Sequence, residues 1–175
     1  MCYPRKPGLS LFIGIFLLAS CTSLLVKPAT SRTPGISEKA GHIYTTIGEK
    51  AAFAAVSMIG RPYRYKGNTP AGFDCSGLVQ YSYLSAGVKV PHGTKALMDI
   101  TLPTGATVQI GDLLFFNERG KFYSHVGIYL GGDTFVHSPG TGGRVKTESL
   151  DDPYWKSSFV EARRFIELSV KEEQR

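Results

Sequence analysis

The stretch FDCSGLVQY, residues 73–81, holds the one cysteine that follows position 21, at a point where a loop gives way to a predicted helix. Asp74 is suited to cap that helix, because its carboxylate accepts hydrogen bonds from the free amides of a helix start. Those amides carry partial positive charge, which favours a thiolate. The stretch therefore predicts a cysteine, Cys75, with a lowered pKa and a nucleophilic role. Ser76 and Gly77 beside it would leave room for a substrate backbone.

Helices are predicted on both sides of this point. Apolar residues recur at helical spacing over residues 37–60, and a loop with two prolines and two glycines follows over 61–72. The cysteine helix is predicted over 73–86 with Gly87 as its C-terminal cap, and a short helix over 94–100. Leu78, Val79, Tyr81 and Leu84 are expected to supply the apolar bulk of the cysteine helix.

Short runs of β-branched and aromatic residues dominate the chain after Gly111. They predict strands over 112–116, 124–130, 134–138, 144–147 and 159–165. Helices first and strands after them favour one α+β domain. We expect amino-terminal helices packed on an antiparallel sheet of about five strands.

Two histidines lie on neighbouring predicted strands, and a cysteine nucleophile needs a base that is itself oriented. If Leu130 pairs with Thr134 around a turn of odd length, His137 lies opposite Gly127 and diagonal to His125, on one face. A two-residue turn would place the histidines on opposite faces. The interpretation therefore depends on the odd-length turn. His42 and His92 are expected to be ordinary packed or surface residues.

The first residues are typical of an export signal. Arg5 and Lys6 precede an apolar run over 9–19, which is shorter than the roughly 20 residues of a membrane-spanning helix. Leu18-Ala19-Ser20-Cys21 resembles the bacterial lipoprotein signal, which implies cleavage after Ser20 and lipid on Cys21. A plain signal peptide or an uncleaved anchor are the alternatives. The predicted organisation is a signal peptide over 1–20, a tether over 21–36, the domain over 37–168 and a charged tail over 169–175.

The composition and the absence of binding motifs argue against nucleic-acid-binding and metal-binding functions. The net charge is +6 and the chain is 42% hydrophobic, as in an ordinary globular domain. No arginine-rich arm or zinc spacing is present in the sequence, so we expect no nucleic-acid partner and no metal. Hydrolysis by a thiol nucleophile and a histidine would need no cofactor, and we expect none. If only the number of cysteines is considered, Cys75 could also be a buried residue that packs as a small apolar side chain. A Cys/His metal site is a further alternative.

Five stretches, in this order, resemble those of the NlpC-type (NlpC/P60) cell-wall cysteine peptidases, which are papain-like. They are GRPYRY (60–65), FDCSGLVQY (73–81), GDLLFF (111–116), SHVGIYLGG (124–132) and TFVHSPGTGGRV (134–145). The resemblance implies that Cys75 is the nucleophile, His125 the base, and His137 the group that orients it. It also implies that Tyr63 helps to hold the oxyanion. The remaining implied roles are substrate contacts at Asp74 and Ser76.

Residues 90–97 (VPHGTKAL) depart from the family pattern, which often has Leu-Pro-Arg and a later glutamine there. The resemblance therefore predicts an endopeptidase acting on peptidoglycan stems or cross-links, with its specificity left open. Alternatives are an acyltransferase or amidase using the same site, or a non-catalytic wall-binding lipoprotein. We expect a monomer in the bacterial envelope, lipid-anchored through Cys21. In a Gram-negative organism, Thr22 after the cysteine favours the outer membrane, facing the periplasm.

Overall fold

The computed structural model describes residues 46–118 and 120–165. The predicted signal peptide, Cys21, the tether, His42, the charged tail and both ends of the predicted domain lie outside these residues. Within the described ranges, no helix is both long enough and apolar enough to cross a membrane.

The first helix, α1 (Ile47–Val56), begins at a capping box. The hydroxyl of Thr46 accepts from the Glu49 amide at 3.1 Å, and the Glu49 carboxylate accepts from the Thr46 amide at 3.0 Å. These two bonds supply acceptors for amides that would otherwise need the carbonyls of a preceding helical turn, so the helix starts here. It also ends before Gly60, so the predicted span 37–60 was too long at its carboxyl end, and residues 37–45 lie outside the described ranges.

Two short strands, β1 (Asn68–Thr69) and β2 (Gly72–Phe73), form a hairpin inside the predicted loop. The cysteine helix, α2 (Cys75–Ser85), follows directly. Asp74 caps it as predicted, accepting from the Gly77 amide at 2.7 Å. The hairpin and the cap together fix where the first turn of α2 lies.

The carboxyl end of α2 is closed by the glycine that the sequence indicated. Gly87 has a φ of +91°, and the amide of Val88 donates to the Tyr83 carbonyl at 2.8 Å. This pattern satisfies carbonyls that the helix would leave free. One expected core residue was wrong: Leu84 is 59% exposed, whereas Tyr83 is 2% exposed and fills the core. The buried face is rotated because α1 packs along this helix.

After the short helix α3 (Thr94–Asp99), the chain builds a six-stranded antiparallel sheet. Its strands are β3 (Thr101–Pro103), β4 (Leu113–Glu118), β5 (Lys121–Gly131), β6 (Thr134–His137), β7 (Lys146–Ser149) and β8 (Phe159–Phe165). Their order across the sheet is β3-β8-β4-β5-β6-β7. The α+β class is confirmed, and within this sheet β3 is the strand that the sequence did not predict. It is a three-residue edge strand ending in Pro103, which is where a sheet tolerates proline.

The sheet is covered on both faces. Leu113, Phe115 and Val126 belong to the larger core, which includes buried residues of α1, α2 and α3. Leu114 and Phe116 point the other way, into a second core around Trp155. Trp155 belongs to α4 (Pro153–Ser158), a six-residue helix that was not predicted.

A buried ion pair ties the last strand to the start of β4. Asp112 is 3% exposed, and its two carboxylate oxygens accept from Nε and Nη2 of Arg164 at 2.7 and 2.8 Å. Asp112 also accepts from the Gln109 amide at 2.7 Å. The carboxylate is therefore buried with its charge compensated, and β8 is fixed beside β4.

The β5–β6 hairpin has the predicted register but not the predicted turn. Gly131 pairs with Thr134 around Gly132 and Asp133, whose φ values of +55° and +57° suit a two-residue hairpin turn. A register shift between Tyr129 and Gly131 supplies the odd residue, so that Tyr129 pairs with Phe135. The Leu130–Thr134 pair was therefore wrong. A bulge, rather than a longer turn, brings the two histidines to one face.

Candidate active site

The thiol of Cys75 lies between the first turn of α2 and strand β5. The backbone N–H groups of Val126 and Ser76 both donate hydrogen bonds to it. Val126 is the neighbour of His125 along β5, so the helix start is seated beside the predicted base. The packing of α2 on β5 thus joins two parts of the site that are far apart in the sequence.

The pKa of Cys75 does not fall as predicted. Burial of the thiol raises the pKa of Cys75 to about 11, and the negative charges of Asp74 and Glu118 act in the same direction. The two amide hydrogen bonds lower the pKa but do not offset the burial. The amides of the helix start are present, as expected, but desolvation has the larger effect. The thiol is therefore protonated at neutral pH in the resting site.

The two predicted histidines meet in the sheet. Nε2 of His125 lies 2.7 Å from Nδ1 of His137, and the residues are 3% and 0% exposed. The shared face expected from the hairpin is confirmed. Burial lowers the pKa of both rings, and for His137, where His125 and Lys146 act in the same direction, the value falls to about 3. Both imidazoles are thus neutral at neutral pH.

The contact between the rings engages Nε2 of His125 with Nδ1 of His137, so Nδ1 of His125 is left for other partners. In one of the two tautomers that fit this contact, His125 carries its proton on Nε2 and donates it to His137. This requires His137 to carry its proton on Nε2, a buried atom without a hydrogen-bond partner among the described residues. His137 can therefore orient His125 but, being neutral, adds no negative charge.

Trp155 holds both histidines in place from the side of α4. Its ring centroid lies 5.6 Å from that of His125 and 4.8 Å from that of His137. It also packs edge to face against Phe116 and Phe135. Aromatic rings in this arrangement leave little freedom for the imidazoles to rotate. The unpredicted helix α4 is thus part of the support of the site.

Asp74 has more partners than the sequence suggested. Its Oδ1 accepts from the Gly77 amide and from the Ser76 hydroxyl at 3.1 Å, and both its oxygens contact Nε2 of His92 at 2.8 and 2.9 Å. Ser76 is 5% exposed and its hydroxyl points at Asp74. His92, expected to be an ordinary packed or surface residue, is partly exposed and pairs with Asp74 from the atypical segment 90–97.

Gly77 does not leave an open space for a substrate. A Cβ atom there would lie 1.9 Å from the carbonyl oxygen of Gly67, so the backbone of the preceding loop fills the position. The interpretation of Gly77 as substrate room was therefore wrong. Its missing side chain lets the loop pack on α2.

Tyr63 lies in the neighbourhood of the thiol. Its amide donates to the Gly143 carbonyl at 2.9 Å, and a bridge joins it to Phe73. Burial, followed by the charges of Asp74 and Cys75, raises the pKa of Tyr63. The phenol is thus close enough to respond to both side chains and remains a neutral donor at neutral pH. Its role in holding an oxyanion stays a prediction.

Glu118 is a member of the cluster that sequence reasoning missed. Its Oε2 lies 3.4 Å from Nδ1 of His125. It follows the predicted strand 112–116 by two residues, so the alternation of that strand could have indicated its face, though not its partner. In residues 46–118 and 120–165, no group of three or more His, Cys, Asp or Glu side chains is arranged to hold a metal ion.

A cysteine at a helix start, seated against one of two neighbouring strands that each carry a histidine, defines a thiol–imidazole site on a papain-like α+β fold. The chain belongs to the NlpC/P60 family, whose family model matches residues 60–164. The NlpC/p60 domain of the peptidoglycan hydrolase SagA is similar in structure, with a TM-score of 0.56 and 33% sequence identity. That match covers 67% of this chain and 98% of the SagA chain.

Two curated relatives carry names that describe an activity. The chain is 38% identical over 117 residues to murein DD-endopeptidase MepH of Escherichia coli (strain K12), covering 63% of this chain and 43% of that protein. It is 35% identical over 111 residues to the probable peptidoglycan endopeptidase LytE of Bacillus subtilis (strain 168), covering 63% and 32%. The chain therefore spans less than half the length of these two relatives.

Proposed function

We propose that this protein is a cysteine endopeptidase that hydrolyses peptide stems or cross-links of peptidoglycan. The observation that carries the proposal is the seating of the Cys75 thiol on the Val126 amide, beside a histidine whose far nitrogen is engaged by His137. The names of the family relatives support peptidoglycan as the substrate class.

The reaction starts from a neutral pair, because the pKa of Cys75 is raised and the pKa of His125 is lowered. As the sulfur attacks the peptide carbonyl carbon, its proton moves to Nδ1 of His125. The imidazolium then gives that proton to the leaving amine as the C–N bond breaks. Water, deprotonated by the same nitrogen, releases the acyl group and restores the thiol. No metal or cofactor takes part in these steps.

The developing oxyanion needs donors that are already in place. In the proposed site these are the backbone amide of Cys75 and the hydroxyl of Tyr63. Asp74, which accepts several protein hydrogen bonds, would contact a positively charged group or free amine of the stem through its Oδ2. Ser76 would act through Asp74, since its hydroxyl already points there.

The test uses purified peptidoglycan, the purified chain at neutral pH, and mass spectrometry of the released peptides. Wild type is expected to release or shorten stem peptides, and the near-isosteric Cys75→Ser variant to release none. Product masses identify the bond, and they separate an endopeptidase from an amidase that frees whole stems. Activity is expected to persist in EDTA. An intact wall after wild-type treatment, with Cys75 still open to thiol reagents, would contradict the proposal.

We further propose that the protein is a lipoprotein of the bacterial envelope, on the support of the sequence pattern 9–21 alone. Expression with labelled palmitate is expected to label the wild-type chain and to leave Cys21→Ala unlabelled. Equal labelling of both chains, or of neither, would contradict the assignment. Fractionation of the labelled cells then tests the outer membrane against the inner.

A further inference from the structure

The backbone around Glu118 directs its side chain toward the histidines. Phe116 pairs with His125 across β4 and β5, so Glu118, two residues further on, shares the face of His125. The register shifts between Phe116 and Glu118, and Tyr123 in the opposite strand has a φ of +47°. The amide of Glu118 donates to the Ser124 hydroxyl at 2.8 Å. A bulge held in this way is a common means of aiming a side chain at a site.

The carboxylate of Glu118 is anchored at one oxygen and faces His125 with the other. The hydroxyl of Tyr154 donates to Oε1 at 3.1 Å, and Oε2 lies 3.4 Å from Nδ1 of His125. The side chain of Glu118 is 27% exposed and that of His125 is 4% exposed. The carboxylate therefore keeps contact with water while meeting a buried ring.

A carboxylate at this position suits the chemistry of the site. When the thiol proton reaches Nδ1, His125 becomes a buried cation, and the negative charge left on sulfur passes to the substrate oxyanion as the C–S bond forms. His137 is neutral, because burial lowers its pKa to about 3, and Lys146 beyond it is positive. Glu118 instead opposes the effect of burial and raises the pKa of His125.

We propose that Glu118 is a positioning residue of this site, whose carboxylate holds and stabilises the imidazolium form of His125 during thiol attack. The proposal rests on the proposed peptidase function. The groups in contact with this carboxylate are His125 on β5 and Tyr154 on α4, and its charge also raises the pKa of the Cys75 thiol on α2. Across the β4–β5 pair, Glu118 lies opposite Lys121.

The first measurement needs no substrate. The ring nitrogens of His125 are followed by NMR in the full chain as pH is varied, with His125→Gln used to assign the signal. Glu118→Gln keeps an oxygen for the Tyr154 hydrogen bond but removes the charge. The pKa of His125 is expected to fall by about one unit in that variant. Glu161→Gln, which removes a carboxylate paired with Arg163 on β8, is the matched control and should leave the titration unchanged.

Kinetics on peptidoglycan fragments form the second readout. Glu118→Gln should lower kcat about tenfold with little change in KM, since the lost interaction is made in the transition state. The acid limb of its kcat/KM profile should move to lower pH, following the pKa of His125. Glu118→Asp should recover part of the loss. A purely structural role would lower kcat without moving the acid limb.

The outcomes separate the two proposals. An unchanged or raised pKa of His125 in Glu118→Gln would overturn the role of Glu118, whatever the activity of the wild type. If the wild type cleaves no peptidoglycan but Glu118→Gln still lowers the pKa of His125, the peptidase proposal is overturned. The interaction between Glu118 and His125 is then supported on its own. A fall in the pKa together with a fall in kcat supports both.

Discussion

Acidification from about pH 6.5 to about pH 4.5 is expected to destabilise the domain through His137. The ring is fully buried, and its pKa is lowered from 6.5 to about 3. Between these two pH values the His137 ring is protonated in the unfolded chain but not in the folded chain. The free energy of unfolding therefore rises with pH across this window and falls as the pH is lowered.

The magnitude follows from the width of the window. Each pH unit between the two pKa values changes the free energy of unfolding by about 1.4 kcal/mol for one proton, so two units correspond to about 2.7 kcal/mol. That is a large fraction of the roughly 5–15 kcal/mol that stabilises an ordinary domain. Burial lowers the pKa of His125 as well, so its contribution has the same sign.

Urea unfolding at several pH values measures this effect, and the protein carries its own probe. The chain has one tryptophan, Trp155, whose ring packs against His137. Its fluorescence therefore reports the loss of the relevant packing. Wild type is compared with His137→Gln, which removes the titrating group, and with Val136→Ala, which destabilises the same strand without removing a proton site.

The expected result is a difference in slope rather than in absolute stability. Wild type and Val136→Ala should lose stability in parallel on acidification, whereas His137→Gln should lose about 2.7 kcal/mol less over the same window. Parallel curves for all three proteins would refute the assignment of a buried, neutral His137. A flat wild-type curve would refute it as well.

Three further outcomes are expected. Alkylation of Cys75 by iodoacetamide should keep accelerating above about pH 9, because burial raises its pKa to about 11; a plateau below about pH 8 would instead indicate a preformed thiolate. Arg164→Ala should lower the free energy of unfolding by about 3–5 kcal/mol, because it leaves the Asp112 carboxylate buried without its partner. A loss below about 1 kcal/mol in urea unfolding would contradict this prediction. Gly77→Ala should lower the free energy of unfolding by about 1–3 kcal/mol in the same assay, because its Cβ would lie 1.9 Å from the Gly67 carbonyl oxygen. The control Gly140→Ala has no atom within 4 Å of the added Cβ and should stay within about 0.5 kcal/mol of wild type. Equal effects of the two alanines would contradict the packing account.

The sequence was most informative where local periodicity decides the outcome. Strand alternation brought His125 and His137 to one face, and the cap at Asp74 and the glycine at 87 marked the ends of α2. The hairpin register held even though the extra residue is in a bulge, because the apolar face of each strand fixes its pairing.

Features set by tertiary packing could not be read in the same way. Tyr83 replaces Leu84 in the core because the position of α1 selects the buried face of α2. The raised pKa of Cys75 depends on burial between two elements, which local sequence does not reveal. The contacts of His92 and Glu118 join segments distant along the chain or bent by a bulge.

Helix α4 is a different case, because its sequence did carry a signal. Asp152 caps it and Pro153 occupies its first position, which is a common way for a helix to begin. The helix is too short to show an apolar period, so that signal stood alone.

The place of β8 in the sheet has a consequence for the order in which the domain can form during synthesis. Residues 159–165 come last among the described strands, yet they lie between β3 and β4 in the interior of the sheet. A growing chain can therefore present Cys75 and both histidines to its surroundings well before the strand that supports β4 exists. Non-local pairing of this kind also forms slowly. The proposed site is thus expected to form only after residue 165 has left the ribosome.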